Sequence, residues 1–235
     1  MAQQVGAFLR SRTGEFLTAM EFFNELGLSL ARKHGQGLVA PLETHGPTYL
    51  LIELATSIPS TALDQIMEDA LNSCVEAGSV LDGAIAANET QRAMFWRLRE
   101  EMPEGQRLEG PQIKHDVAVP VVQLADFVAA ASGAVKAILP GVRVSPFGHL
   151  GDGNVHFNLS PPENEAGFMG QESVLSDAVY DVAIAHNGSV AAEHGLGQAK
   201  IALADRYRPP VERALMRTIK TAVDPLGTMN PGKVV

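Results

Sequence analysis

The chain has only one cysteine among its 235 residues, so it cannot form an internal disulfide. Proteins without disulfides are typical of reducing compartments, and we therefore expect a cytoplasmic location. The lone Cys74 falls in a predicted helix beside Leu71 and Val75. This setting favours a small buried apolar side chain over a reactive thiol.

Positive charge and long apolar runs are scarce as well. Lysine and arginine number 18 against 27 aspartates and glutamates, which gives a formal net charge of −9. This balance argues against a nucleic-acid partner and offers no polybasic membrane contact. We recognise no run of about 18 apolar residues and no signal peptide, so we expect no transmembrane segment. A peripheral membrane contact is the alternative to a purely cytoplasmic protein.

The sequence also lacks a glycine-rich loop of the G-x-G-x-x-G kind, which binds the pyrophosphate of a dinucleotide. The segment Gly195-Leu196-Gly197 is too short for that role. We therefore expect residues 1–235 to contain no dinucleotide-binding unit of their own.

The apolar pattern predicts two successive units that mix strands and helices, joined by a charged segment near residues 100–111. Apolar residues make up 46% of the chain, which is enough for a core. Strands are predicted at 16–23 (or a helix start), 49–55, 80–86, 113–119, 142–149, 154–160 and 189–193. Helices are predicted at 61–77, 88–99, 121–139, 172–186 and 210–225. This order predicts an α+β fold of duplicated ferredoxin-like units, with a mainly antiparallel sheet covered by helices.

The most informative segment lies around Asp152-Gly153, which is a strong signal for a two-residue hairpin turn. Such a turn would place His149 directly opposite His156, with their Cβ atoms roughly 5 Å apart on one face. That separation suits two imidazoles that bind one metal ion. Asn158 would share their face, while the residues between point to a core.

Two histidines need at least one more ligand to form a metal site. The best candidate is Glu193. The adjacent His194 is a candidate general base, because the unperturbed pKa of histidine lies near neutrality. Asp152 is the rival carboxylate, although an aspartate in a turn usually bonds the turn itself. From the residues alone, a hydrogen-bonded surface pair of histidines and a helix-capping role for Glu193-His194 stay open.

Five ordered motifs resemble the C-terminal domain of FAD-linked oxidases, the group that contains D-lactate, D-2-hydroxyglutarate and glycolate dehydrogenases of the vanillyl-alcohol-oxidase type. The resemblance covers essentially the whole chain. The motifs are Trp96-Arg97-Leu98-Arg99-Glu100, Ile113-Lys114-His115-Asp116-Val117-Ala118-Val119-Pro120, Gly148-His149-Leu150-Gly151-Asp152-Gly153-Asn154-Val155-His156, Glu193-His194-Gly195-Leu196-Gly197 and Asp224-Pro225-Leu226-Gly227-Thr228-Met229-Asn230-Pro231-Gly232-Lys233.

The resemblance implies a role for each matching residue in the oxidation of a 2-hydroxy acid to a 2-oxo acid with hydride transfer to FAD. The metal ligands, with zinc as the expected ion, would be His149, His156 and Glu193. The substrate would be held by Arg99, Lys114 and Asn158, and its hydroxyl proton would go to His194. The flavin side of the site would be formed by Asn230 together with His194.

The resemblance also implies a separate FAD-binding domain, in cis or in trans, that residues 1–235 do not include. We therefore expect this chain alone to hold FAD weakly and to lack dehydrogenase activity. The alternatives are a stand-alone metal-dependent hydrolase that uses the same ligands and a non-catalytic assembly subunit of the same fold. The substrate, the electron acceptor and the oligomeric state, a homodimer included, stay open at this point.

Overall fold

Five antiparallel strands form one sheet, and helices cover it. The computed structural model describes all residues from Met1 to Val235. The strand order is β2-β1-β4-β5-β3. The strands are β1 (Leu17–Asn24), β2 (Thr48–Leu54), β3 (Ile113–Ala118), β4 (Arg143–His149) and β5 (Asn154–Ser160). The predicted α+β class with an antiparallel sheet is confirmed.

Nine α-helices connect or flank these strands. They are α1 (Ala2–Thr13), α2 (Glu25–His34), α3 (Leu63–Glu76), α4 (Glu89–Glu100), α5 (Met102–Glu109), α6 (Leu124–Ile138), α7 (Glu172–Ala185), α8 (Ile201–Tyr207) and α9 (Pro210–Val223). Asn88 caps α4 as predicted, because its side chain accepts a hydrogen bond from the Gln91 amide. The sequence pattern did not reveal α1, α2, α5 and α8.

One face of the sheet is apolar and forms the main core. Val155, Phe157 and Leu159 of β5 are fully buried there, as the alternation of the strand predicted. Helices α1, α3, α6 and α7 supply further side chains of this core. Cys74 of α3 belongs to this core, which confirms its apolar role.

The other face of the sheet is polar at its centre and covered only in part. Helices α2, α4 and α5 pack over one side of it, where Phe23, Tyr49, Leu98 and Phe147 form a smaller cluster. The rest of this face remains accessible. The sheet therefore presents its polar side chains between α4 and α5 on one side and the segment after α7 on the other.

The β4–β5 hairpin is confirmed, but its predicted turn is wrong. His149 pairs with Asn154, and His156 pairs with Phe147. The connection is thus the four residues 150–153 rather than Asp152-Gly153 alone. The two histidines share one face as diagonal neighbours, with their ring centroids 6.3 Å apart.

The longer turn results from two contacts that a local pattern does not contain. The Leu150 amide donates to the Met20 carbonyl, and the Leu150 side chain packs against α1 at Gly6. Arg10 of α1 also donates to the Gly151 carbonyl, at 2.9 Å. Gly153 has a φ of +84°, and a Cβ there would lie 1.9 Å from the Val119 carbonyl oxygen. The hairpin tip is therefore shaped by α1 and by the end of β3.

The charged segment predicted as a joint near 100–111 contains helix α5. Pro103 lies in its first turn, where proline is tolerated. Gly105 permits α5 to contact α2 closely, since a Cβ there would lie 2.6 Å from the Leu30 carbonyl oxygen. Residues that act as helix breakers in other contexts thus serve helix packing here.

Two predicted strands do not form. Residues 80–86 are irregular, and Leu81 is 72% exposed, so their apolar run does not pack as a strand. Residues 189–193 make a single bridge, from Ser189 to Ala118. As a result, the two halves of the chain contribute unequally to the sheet. The second half runs β3-α6-β4-β5-α7, whereas the first half adds only β1 and β2 to the same sheet.

One helical segment is long and apolar enough to cross a membrane, although polar residues interrupt its apolar run at Gln123, Asp126, Ser132 and Lys136. The segment Val121–Ile138, which includes α6, meets that length and composition with a mean hydropathy of 1.5. Four of its residues, spaced by three or four positions, pack in the main core: Leu124, Phe127, Ala131 and Val135. The test of length and composition is also met by core helices of this kind.

His115 makes the stability of the fold depend on pH. It is 1% exposed, lies between Phe157 and Tyr180, and its Nδ1 contacts the Phe157 carbonyl oxygen at 2.7 Å. Burial lowers the pKa of His115 to about 4. Below pH 6.5 the unfolded chain gains a proton that the folded chain does not, so the free energy of unfolding should fall from there to about pH 4.

We expect His115→Gln to remove that part of the pH dependence. Urea unfolding of wild type and variant at neutral and at mildly acidic pH measures the difference. His45 is exposed and provides a control. In His45→Gln, the free energy of unfolding should change between the two pH values as much as it does in wild type. If the free energy of unfolding falls equally with pH in wild type and in His115→Gln, this role of His115 is contradicted.

Candidate metal and substrate site

The first part of the site is built on a buried carboxylate of β1. Glu21 lies opposite His149 in the sheet and is 4% exposed. One of its oxygens contacts His149 Nδ1, and the other accepts a hydrogen bond from Arg99 Nε at 2.9 Å. The Arg99 guanidinium also lies over the Phe147 ring, 4.6 Å from its centroid. Glu21 thus orients one cation and one imidazole at once.

The second part is arranged in the same way on β3. Asp116 lies opposite His156, and its Oδ1 is 3.9 Å from His156 Nδ1. Burial lowers the pKa of His156, and the charge of Arg99 acts in the same direction. The neutral imidazole that results is the form that binds metals.

The segment after α7 brings two further groups to the same face. Glu193 Oε1 lies 3.4 Å from His156 Nε2 and 3.8 Å from His194 Nε2. The His194 amide donates to Asp116 Oδ2 at 3.1 Å. His194 is well exposed, so its ring is accessible from solvent.

This geometry brings one set of candidate metal ligands together, and the predicted ligand His149 is not among them. Ligand atoms of Asp116, His156, Glu193 and His194 all lie within 4.8 Å of one another. The predicted set combines His149 with His156 and Glu193. The distance of 3.4 Å between His156 Nε2 and Glu193 Oε1 matches the roughly 3.4 Å expected for two ligands at about 2.1 Å from a tetrahedral zinc ion.

The buried carboxylates favour the predicted set on chemical grounds. Histidines that bind metals commonly donate their second ring proton to a carboxylate, which fixes the tautomer and the ring orientation. Glu21 contacts Nδ1 of His149, and Asp116 faces Nδ1 of His156. Both Nε2 atoms are then left to bind a metal. In this arrangement Asp116 orients a ligand, whereas in the other set it is a ligand itself.

Two predicted substrate residues share the polar face with these groups. Lys114 is exposed on β3 and pairs in register with Asn158 of β5. Asn158 is 3% exposed, and its amide donates to Gln106 Oε1 at 2.8 Å. Gln106 in turn donates to Ser145 Oγ at 3.0 Å. A buried hydrogen-bond network thus continues from Asn158 under α5.

Asn230 lies apart from this cluster in an exposed turn, with a φ of +45°. The tail that contains it is fixed to the site segment, because the Val234 amide donates to the Gly197 carbonyl at 2.8 Å. Arg213 of α9 also donates to the Val234 carbonyl, at 2.8 Å. The tail therefore borders the loop that carries Glu193 and His194.

Three charged residues at the site were not selected from the sequence as functional candidates. They are Glu21, Asp116 and Lys200, whose Nζ lies 4.0 Å from Asp116 Oδ2. Asp116 was part of a recognised motif, but no role was assigned to it. Glu21 lies between the apolar residues Met20 and Phe22 of β1, where a glutamate is unusual. That contrast was the one available signal for a buried, partnered carboxylate.

Histidines, carboxylates and a buried arginine share one face of a partly covered antiparallel sheet, and they form a candidate site for a small anionic ligand and a metal ion. The chain belongs to the family described as FAD linked oxidases, C-terminal domain, whose model matches residues 1–234. The resemblance seen in the five motifs is thereby confirmed.

Several relatives are named D-2-hydroxyglutarate dehydrogenase. The chain is 35% identical to the one from Stutzerimonas stutzeri (strain A1501) over 221 residues, which cover 93% of this chain and 47% of the relative. The mitochondrial enzymes of Arabidopsis thaliana and Bos taurus are also 35% identical, over 94% and 96% of this chain and 38% and 40% of their own lengths. The chain thus spans less than half the length of these relatives.

The Glu21–Arg99 pair should contribute strongly to stability when one partner alone is removed. Glu21→Gln leaves the buried guanidinium without its carboxylate, which typically costs about 3–5 kcal/mol. Urea unfolding at neutral pH measures the loss. Glu15→Gln, at an exposed glutamate, is the matched control and should change little. A loss at Glu21 no larger than at Glu15 would show that the pair is not a significant constraint.

Proposed function

We propose that the chain is the substrate- and metal-binding part of a flavin-dependent D-2-hydroxy acid dehydrogenase. The observation that carries this proposal is the pair of histidines on one sheet face. Buried Glu21 contacts Nδ1 of His149, and Oδ1 of buried Asp116 lies 3.9 Å from Nδ1 of His156. Arg99 lies directly beside them. The family and the names of its relatives support the same reaction class.

The residues present fit a divalent metal. His149, His156 and Glu193 would bind it, with zinc the expected ion, and an open coordination position is typical of a catalytic zinc site. The buried Asp116 Oδ1 has no hydrogen-bond partner, and it faces His156. This carboxylate is suited to accept the Nδ1 proton of a metal-bound His156.

The cations fit the carboxylate groups of a 2-hydroxy acid. Glu21 engages Arg99 through Nε, so its two terminal nitrogens can donate to a carboxylate side by side. Lys114 adds an exposed positive charge on the same face, and Asn158 adds an amide oxygen below it. The names of the relatives make D-2-hydroxyglutarate the first acid to test.

Proton transfer is assigned to His194. Its ring is exposed next to Glu193, and its backbone is held by Asp116. When bound, the metal polarises the substrate hydroxyl and the flavin accepts the hydride. His194 would receive the hydroxyl proton as the general base.

The flavin is assigned to a second protein part, in cis or in trans, that packs against α9 and the tail. Four apolar side chains follow one stripe of α9 and are 55–77% exposed: Val211, Leu215, Ile219 and Val223. Leu226 and Met229 extend the stripe toward Asn230. Contiguous exposed apolar surface of this kind supports a packed neighbour. With that neighbour in place, Asn230 would lie on the flavin side of the site.

Metal binding by the purified chain tests the ligand assignment. We expect one Zn²⁺ per chain by elemental mass spectrometry and calorimetric titration, and its loss in His156→Ala and His149→Ala. Asp116→Asn should weaken Zn²⁺ affinity by about 10–100-fold if Asp116 orients His156. His45→Ala, on an exposed histidine, is the control. Retention of full affinity in His149→Ala would favour the set of Asp116, His156, Glu193 and His194.

Turnover in the presence of a flavin-binding part tests the reaction. We would add the corresponding part of the Stutzerimonas stutzeri relative, loaded with FAD, and follow flavin reduction and 2-oxo acid formation from D-2-hydroxyglutarate. Arg99→Lys keeps the charge but loses the two-pronged geometry, so kcat/KM should fall at least about 10-fold. Arg32→Lys, at an exposed arginine of α2, is the matched control.

Two results would contradict the proposal. One is the absence of flavin reduction by any 2-hydroxy acid when the two parts form a stable complex. The other is metal-dependent hydrolysis of esters or phosphates by the chain alone, abolished in His156→Ala. The second result would establish the hydrolase alternative instead.

A further inference from the structure

Glu193 and His194 lie in a segment without helix or strand structure, residues 190–200. Their side chains are about half and two-thirds exposed. Groups that serve a metal or a proton transfer must be held close to their working geometry. Since no regular backbone ladder fixes this segment, other contacts must do so.

The backbone contacts on either side of Glu193 lead to Asp116. The Ala192 amide donates to the Asp116 carbonyl at 3.3 Å, and the His194 amide donates to Asp116 Oδ2 at 3.1 Å. These two bonds flank Glu193. The segment is thus attached to β3 through the backbone and side chain of one buried residue.

Lys200 closes the segment from its other end. Its Nζ donates to the Val190 carbonyl at 3.1 Å and to the Asp116 carbonyl at 3.4 Å, and lies 4.0 Å from Asp116 Oδ2. Its backbone amide also donates to the Leu196 carbonyl. One ammonium group therefore joins the first residue of the segment, the last residue and the strand beneath.

The burial of this ammonium is informative. The Lys200 side chain is 19% exposed, although lysine is rarely buried unless it is paired. An ammonium has three protons, and here it faces two carbonyls and one carboxylate oxygen. All of these acceptors belong to the segment or to Asp116. The apolar contacts of the segment are small by comparison, a cluster of Ala191, Leu196 and Ala204.

We propose that Lys200 is a positioning residue that fixes the segment 190–200 on Asp116 and thereby places Glu193 and His194. This proposal rests on the proposed function, in which Glu193 binds the metal and His194 accepts the proton. Lys200 itself contacts neither of their side chains and acts through the backbone of the segment.

The test uses the full chain and two readouts, backbone hydrogen exchange and Zn²⁺ titration. Lys200→Met keeps a side chain of similar length and removes the hydrogen bonds and the charge. We expect at least about 10-fold faster exchange of the Ala192 and His194 amides and a 10–100-fold weaker Zn²⁺ affinity, as for other residues that orient metal ligands. Exchange in β4 and β5 should stay unchanged. Lys200→Arg, which keeps the charge and several donors, should recover most of both losses.

Lys136→Met is the matched control, at an exposed lysine near the end of α6. If Lys200→Met matches this control in both readouts, or if exchange rises equally throughout the sheet, the positioning role is overturned. Lys200→Gln, which retains a donor, replaces Lys200→Met should that variant fail to fold by circular dichroism. If wild type binds no Zn²⁺, the metal assignment fails, while the exchange of the Ala192 and His194 amides still decides the role of Lys200.

Discussion

Two buried carboxylates, Glu21 on β1 and Asp116 on β3, control the geometry of the polar face. They lie on the two strands that flank the β4–β5 hairpin, and each faces one of its histidines. A carboxylate removed from water is costly unless charged or polar hydrogens surround it. Glu21 obtains them from Arg99 and His149, whereas Asp116 relies on the segment that follows α7. Those requirements orient the groups proposed to bind ligand and metal.

Periodicity predicted most of the scaffold. Alternation assigned the faces of β5 correctly, because a strand with one buried face cannot slip by one residue without exposing its core side chains. A slip by two residues preserves the faces, which is why the wrong register of the hairpin still put His149 and His156 on the same side. The true register depends on Leu150, whose burial against α1 no local pattern indicates. Helix α5 was missed for a similar reason, since Gly105 serves a contact with α2.

Some residues of the candidate site could likewise be predicted from the sequence, and others could not. Residues clustered in short motifs, such as His149, His156 and the Glu193-His194 pair, could be selected from the sequence. Glu21 could not be connected to them, because it is 128 residues from His149 along the chain and meets it only through the pairing of β1 with β4. Lys200 follows its motif closely, yet its role depends on carbonyl groups, which leave no trace in the sequence.

The contact of α1 with the hairpin tip has a consequence for genetics. Gly6 and Arg10 support the turn directly after His149 from more than 130 positions away, without touching the polar face. Alleles at these two positions would alter ligand geometry while sparing every residue of the recognised motifs. A survey of inherited or selected variants that scores only motif residues would record them as neutral, although they would displace the turn that follows His149.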